Sequence, residues 1–485
     1  MVRSRRSFLA MALAIVLGAG AATRAAAQTP VSPAQTPPSP AQARSSPTPT
    51  LSAPAQTPST SAPAGQPQPN GGRPAAEFGF EHRFRWENWT NITDYNEARD
   101  DRRNQFRFRT RLWVRAPLRD NLEIYAGLNN ESRSITTPDQ PTVLDEIFFE
   151  HLYVDWKIDG RHSLRVGRQN LMRGEGFAIF DANPLDGSRS AYFNALLFTR
   201  SFAPKSKIEL MAIANPYRDR FLPRIKDNRR PLIEWDEQAF GAYFTEQRLP
   251  RTEIEAYFLH KTERHDYRGT AHPQYHPDRS LEIAGGRAVR QVGGGWSLTG
   301  ELTGEWGRLA DGAVPIRAWG GYAYAKKSWT SAWKPAVQAG YIAMSGDDPG
   351  TATIEEWHPV FARWPKWSEL YIYSLAQERG PAYWTNLGMY QAEFTVSPAK
   401  PVGLRLTYYK LRAFHPFAGP QSIFGAGTDR GHLLQARLDF SLNKSLRGHV
   451  LYEGLWPGDL TRHQSMGHFF RTELIYTFRK TFASR

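Results

Sequence analysis

No cysteine occurs in the 485 residues, so neither a disulfide framework nor a thiolate metal site is available. That absence fits a chain that crosses an oxidising compartment. Long apolar runs are missing too. After the first thirty residues none reaches the roughly 18 needed for a membrane helix, and a mean hydropathy of −0.55 excludes a helical membrane bundle. Neither a G-x-S-x-G nor an H-E-x-x-H motif appears, which removes the common hydrolase and metalloprotease signatures. A repeat of about 40 residues with a per-blade motif is also absent, which argues against a propeller. Acidic residues are in deficit. Lys and Arg number 61 against 47 Asp and Glu, a formal net charge of +14. Such a balance suits nucleic acid, an acidic membrane surface, or a pore for anions whose positive charge faces inward.

What is present begins with a secretory pattern in residues 1–27. Arg3, Arg5 and Arg6 precede the apolar stretch FLAMALAIVLGAGAA, and Ala25, Ala26 and Ala27 supply the small residues that a signal peptidase accepts. Residues 28–75 are dominated by Pro, Ser, Thr, Ala and Gln, with almost nothing to bury. They read as a disordered, partly polyproline-II spacer in the periplasm. Residues 76–485 read as one β-domain.

That domain is organised around Gln105 to Ala116, QFRFRTRLWVRA. Arg107, Arg109, Arg111, Trp113 and Arg115 alternate with Phe106, Phe108, Thr110, Leu112, Val114 and Ala116. On a strand this makes one face apolar and the other cationic, whereas a helix would scatter the arginines around its axis. Eleven residues at about 3.4 Å each, tilted by about 40°, rise about 28 Å, enough for the apolar band of a transmembrane barrel. The pattern recurs. Phe78, Phe80, Phe84 and Trp86 oppose Glu81, Arg83, Arg85 and Glu87, and Trp296, Leu298, Leu302 and Trp306 oppose Ser297, Thr299, Glu301, Thr303 and Glu305.

Short turns (PLRDN, DGR, APKS, LPR, VGGG, SPAKP, LNKS) alternate with long polar loops, the longest running roughly from Ser345 to Ala382. An up-and-down meander does this, because every second connection lies on the same rim, and a soluble sandwich would not keep strict alternation. The fold expected is an all-β, antiparallel outer-membrane barrel of about 18 strands with short periplasmic turns and long external loops. Trp86, Trp89, Trp156, Trp296, Trp306, Tyr322 and Tyr324 fall near strand ends and are expected in interfacial girdles. In the final strand Phe470, Leu474, Tyr476 and Phe478 share one parity, and Phe482 lies three residues from the end.

A barrel of this size is wide enough for an aqueous channel. The expected lumenal path then includes Arg107, Arg109, Arg111, Arg115, Arg165, Arg405 and Arg437, with Arg471 on the same parity. Guanidinium is always charged and contacts carboxylates bidentately, which suits a path for anions. Glu301, Glu305, Glu393, Asp439 and Glu473 share the inward parity, so the arginines either select solutes or pair with acids and brace the wall. If they select, Arg109→Glu with Arg111→Glu shifts preference toward cations and leaves insertion intact.

SLRVGRQNLMRGEGFAIFDANPLDGSRSAYFNALLFTRSF resembles the alginate-export family of outer-membrane barrels, with GRQ ending a strand before a Gly-rich loop. EEWHPVFARWPKWSELYIYS and AYWTNLGMYQAEFTVSPAKPVGLRLTYYKLRAF resemble its C-terminal half. The likeness runs from Glu77 to the end and leaves out the spacer. It implies an 18-strand porin in the outer membrane of a Gram-negative bacterium, with an electropositive constriction that passes an anionic polysaccharide outward. That role is placed on the arginines of Gln105–Ala116 and on Arg165 and Arg168 near GRQ. Expected partners are outer-membrane lipid, anionic poly- or oligosaccharides or other small anions, and an open place for a periplasmic export partner. No nucleic acid, cofactor or metal is expected. The competing classes are a barrel enzyme and a loop-mediated receptor or adhesin without a conducting pore. His260, His265, His272 and His276 crowd one loop with Asp266 and Asp278, but their spacing is irregular and reads as a solvated loop.

Overall fold

Period-2 apolar patterning builds one closed sheet. The computed structural model describes residues 76–179, 192–227, 235–264, 278–309, 312–417 and 423–482. The signal region, the spacer, Asp266 and the histidines at 265, 272 and 276 lie outside the described residues.

The strands are β1 (Ala76–Thr90), β2 (Arg103–Arg119), β3 (Leu122–Thr137), β4 (Asp139–Lys157), β5 (His162–Gln169), β6 (Phe193–Ala203), β7 (Ser206–Asn215) and the two-residue β8 (Arg224–Ile225). They continue as β9 (Asp236–Glu246), β10 (Thr252–Arg264), β11 (Arg279–Gly293), β12 (Trp296–Leu309), β13 (Pro315–Ser328) and β14 (Ala336–Met344). A five-residue helix, α1 (Tyr371–Leu375), precedes β15 (Leu387–Ala399), β16 (Val402–Arg412), β17 (Asp429–Ser441), β18 (Leu446–Trp456) and β19 (Gly467–Phe482). Sequence neighbours pair antiparallel throughout, β7 pairs with β9, and β1 pairs with both β2 and β19, which closes a barrel of 18 strands. The short β8 lies outside this circuit, on the edge of β4. Closure leaves no barrel strand with an unpaired edge, as a bilayer requires.

Connections of two to seven residues (120–121, 158–161, 204–205, 247–251, 294–295, 329–335, 400–401, 442–445) share one rim. Ala76 faces Phe482, so the first and last strands meet at that rim. The strand ends joined through 91–102, 138, 170–192, 216–235, 265–278, 310–314, 345–386, 413–428 and 457–466 lie at the other rim. The long polar loop expected between β3 and β4 is instead an extension of those strands, which run 16 and 19 residues.

Outward positions are apolar and exposed (Leu112, Val114, Phe240, Leu302, Tyr390), whereas Arg83, Arg85, Arg109 and Arg471 are buried inside. A soluble protein with that arrangement would present a continuous apolar belt to water. No helix among the described residues is long and apolar enough to cross a membrane, which says nothing of crossing by strands. Phe108, its ring tilted against that of Phe84 on the lipid face, supplies a direct check. Phe108→Arg costs roughly 2–4 kcal/mol near the bilayer midplane. The variant is expected to lose heat-modifiable gel mobility on refolding, and wild-type-like mobility would invert the assignment of faces.

The girdle expectation requires outward aromatics, and Trp156, Trp296 and Trp306 are outward and exposed. It fails for Trp89, Tyr322 and Tyr324, which are inward and buried in the lumenal core. The reason is frame. Trp89 shares the parity of Glu87, and in β13 the even positions face in, with Tyr322 opposite Glu301.

Candidate functional site

Arginine and glutamate on one parity of a strand leave it to the register to decide who meets whom. Arg83 lies directly opposite Arg109, and Arg85 opposite Arg107, an unfavourable arrangement for like charges. Each guanidinium therefore reaches to a carboxylate. Arg83 Nη2 lies 3.1 Å and Arg107 Nη2 2.8 Å from Glu131, so β1 and β2 converge on one acid of β3. Arg109 Nη2 lies 2.8 Å from Glu81, and Arg111 Nη2 2.5 Å from Glu150. Arg85 pairs with Glu473. Arg471 donates from Nε to Glu87 at 2.8 Å and from Nη1 to Glu369 at 2.5 Å. The wall from β19 through β4 is thus a buried lattice of ion pairs. Removing one partner from such a lattice is far costlier than the lattice is stabilising.

Much of the lumen is filled. The connection 345–386 folds inward, and its aromatic and aliphatic side chains join the inward faces of the strands in one apolar cluster. Lys261 of β10 donates to the carbonyl of Val360 at 2.5 Å, and Glu305 of β12 accepts from the amide of His358 at 2.9 Å. On the far side Gln435 of β17 donates to the carbonyl of Trp367 at 2.8 Å. Glu453 of β18 accepts from the Ser368 hydroxyl and from the amides of Glu369 and Leu370 at 3.1 and 3.0 Å, satisfying donors at the start of α1. Trp89 of β1 stacks on Tyr373. This segment therefore spans the lumen from β10 to β1. The connection after β5 interlocks with it. Phe361 donates its amide to the carbonyl of Ala178 at 3.0 Å, and Trp364 Nε1 to that of Gly176 at 3.2 Å.

Two groups of the inserted segment show how dry it is. His358 is pushed down to about 3, chiefly by burial. Its Nδ1 accepts the Val360 amide at 3.0 Å, so the ring is neutral with its proton on Nε2, 3.1 Å from Glu263. Burial likewise pushes the Lys366 ammonium down, countered by Glu175 and Glu301; it sits among Tyr322, Trp364 and Trp367. Gly320, inward on β13, makes room for the segment, since a Cβ there would lie 2.8 Å from the Trp357 ring.

An all-antiparallel 18-strand barrel with a charged interior and loops inside it is the architecture of an outer-membrane channel, and residues 75–468 match the family described as Alginate export. The chain belongs to the alginate export family. No curated protein matches it. Among solved structures it is similar to OccK5 (OpdH) of Pseudomonas aeruginosa at 11% identity and a TM-score of 0.52, covering 84% of this chain and 98% of that one. OpdK of the same organism, solved with vanillate, gives 10% identity and 0.51 over 84% and 99%. OccAB4 of Acinetobacter baumannii gives 10% and 0.51 over 85% and 100%. At these identities the structural likeness shows the fold. The family makes this a Gram-negative outer-membrane barrel of the porin and channel class.

The alginate-export barrel places the expected path residues unequally. Arg107, Arg109, Arg111 and Arg437 face the lumen but are buried, the last 2.8 Å from Asp439. Arg115, Arg165 and Arg405 also face in and stay accessible, with side chains 24, 34 and 19% exposed beside Glu123, Asp155 and Glu393. All three lie toward the short-turn ends of their strands. Arg168 is a correction. It differs from Arg165 by an odd number of residues, so the two cannot share a face; Arg168 points outward with Val166 and is buried against Asp219. Among the described residues no group of three or more His, Asp or Glu could hold a metal. His260 bonds Glu282 at 2.7 Å from β10.

The residues that sequence reasoning missed are those of the inserted segment, His358, Lys366 and Glu369, and Glu453, which accepts from the Glu369 amide. A signal existed. Trp357, Trp364, Trp367 and Trp384 within one connection are too much aromatic surface to leave in water.

Proposed function

We propose that this barrel passes carboxylate-bearing anionic solutes along its arginine wall, an anionic polysaccharide such as alginate among them, from the short-turn rim outward. The observation that carries this reading is the accessible set Arg115, Arg165 and Arg405, each held beside a carboxylate of the wall. A guanidinium poised against one carboxylate can be handed to a second without ever standing unpaired, so entry costs little desolvation and binding stays weak enough for release. The buried arginines deeper in the wall are matched by the buried carboxylates they pair with, and they brace the strands. OpdK, solved with vanillate, sets a carboxylate beside a barrel of the same fold. The competing readings, an enzyme or a closed adhesin, find no support in the family, which is one of export channels.

Block of ion current tests the substrate class. In planar bilayers a uronate oligosaccharide is expected to interrupt the current at concentrations where a neutral oligosaccharide of equal length does not. Equal block by the two would remove the carboxylate from the reading.

A further inference from the structure

The misplaced arginine leads to a second site, on the outside of the barrel. Arg168 grips Asp219 with both ends of its guanidinium, at 2.7 and 2.8 Å, and both side chains are fully buried. Its Nε donates to Asn194 at 2.9 Å, Nη1 donates to the Phe149 carbonyl at 2.8 Å, and its plane lies 4.0 Å from the Tyr192 ring. Asp219 belongs to the connection after β7, so this fork fastens that loop to the outer face. A few residues on, Arg224 and Ile225 pair with Phe148 and Ile147, fastening the loop again on the edge of β4 beyond the end of β5. Between the two anchors Phe221 and Leu222 are held over the strands. Beneath them lies a groove of about 380 Å³ lined by Leu152, Val166, Leu196 and Ala212.

Every one of those strand residues is on the lipid-facing parity, and Val166 and Leu196 are 45 and 43% exposed. The groove is thus a recess in the apolar belt itself, at the long-loop rim, which faces the external leaflet. The loop that carries Phe221 and Leu222 also carries two cations. Arg218 and Arg220 flank Asp219 in sequence; as Asp219 turns inward to Arg168 they turn outward and are exposed. Arg220 is 66% exposed, 3.8 Å from Asp236. An apolar slot open to the hydrocarbon, roofed by a loop that carries two exposed guanidiniums, has the chemistry to take an acyl chain and a phosphate.

We propose that this groove binds one molecule of a phosphorylated, acylated lipid of the external leaflet, with a chain between Phe221 and the β5–β7 face and its phosphate on Arg218 and Arg220. The loop is fixed at both ends, so the site is formed before the lipid arrives and little ordering opposes binding.

Native mass spectrometry of the full-length folded barrel in detergent tests it, with diphosphorylated lipid A, its dephosphorylated form and phosphatidylethanolamine as probes. The expected result is saturable retention of one diphosphorylated lipid per barrel, undisturbed by millimolar inorganic phosphate. Ala212→Trp fills the groove and should reduce retention at least about tenfold, while Leu210→Trp, on the same face outside the groove, should not. Arg218→Ala with Arg220→Ala should weaken the phosphorylated lipid about twenty-five-fold, a factor of about five for each surface arginine, and leave the dephosphorylated lipid unchanged. Heat-modifiable mobility verifies that each variant is folded; the arginine pair is exposed, so that arm does not depend on packing. Retention unaffected by Ala212→Trp, equal retention of all three lipids, or displacement by free phosphate would overturn the proposal.

Discussion

A barrel in which residues 345–386 are replaced by a short Gly-Ser turn is expected to carry several-fold more current than the wild type. The substitution is geometrically simple, because Met344 and Leu387 are direct cross-strand partners and two to four residues can join them. What it removes is the segment that spans the lumen from Lys261 on β10 to Trp89 on β1. An 18-strand wall without that filling leaves an aqueous channel. The strands keep their own ladders, so the variant should refold with unchanged β-rich circular dichroism. Single-channel recording in planar bilayers reads the effect, and unchanged conductance in a folded variant would mean that the solute path runs elsewhere.

The second large effect concerns the wall. Arg109→Glu with Arg111→Glu is expected to abolish assembly, not to invert selectivity. Arg109 and Arg111 are buried against Glu81 and Glu150, so the double variant sets four carboxylates together. Breaking a buried pair costs about 3–5 kcal/mol, and two such losses rival the whole stability of many domains. Loss of the fast-migrating form on an unheated gel is the readout. A folded double variant with altered selectivity would show that these arginines are far wetter than their burial implies.

That contrast marks where the sequence was legible. Parity along QFRFRTRLWVRA placed its arginines inside and its phenylalanines outside, and the alternation of short and long connections fixed the strand number and both rims. Both are local, period-2 properties. Pairing is not. That Arg83 and Arg107 share Glu131, and that Arg471 joins Glu87 to Glu369, depends on registers between segments from 24 to 384 residues apart. The same limit hid the inserted loop, since nothing periodic distinguishes a connection that leaves the barrel from one that enters it. Arg168 was a different failure. It stands three positions after Arg165, and parity alone forbids a common face.

The central claim is that accessible lumenal arginines choose the solute, and reversal potential under a salt gradient measures this most directly. Arg115→Glu, Arg165→Glu and Arg405→Glu together change the fixed charge by three substitutions of two units each, six in all. These side chains are 24, 34 and 19% exposed, so the exchange spares the buried lattice. Fixed charges act over about 8 Å at physiological salt and farther when salt is lowered. The wild type is expected to prefer anions, increasingly so at low salt, and the triple variant to prefer cations at similar conductance. A folded, conducting triple variant with the wild-type reversal potential would contradict the account.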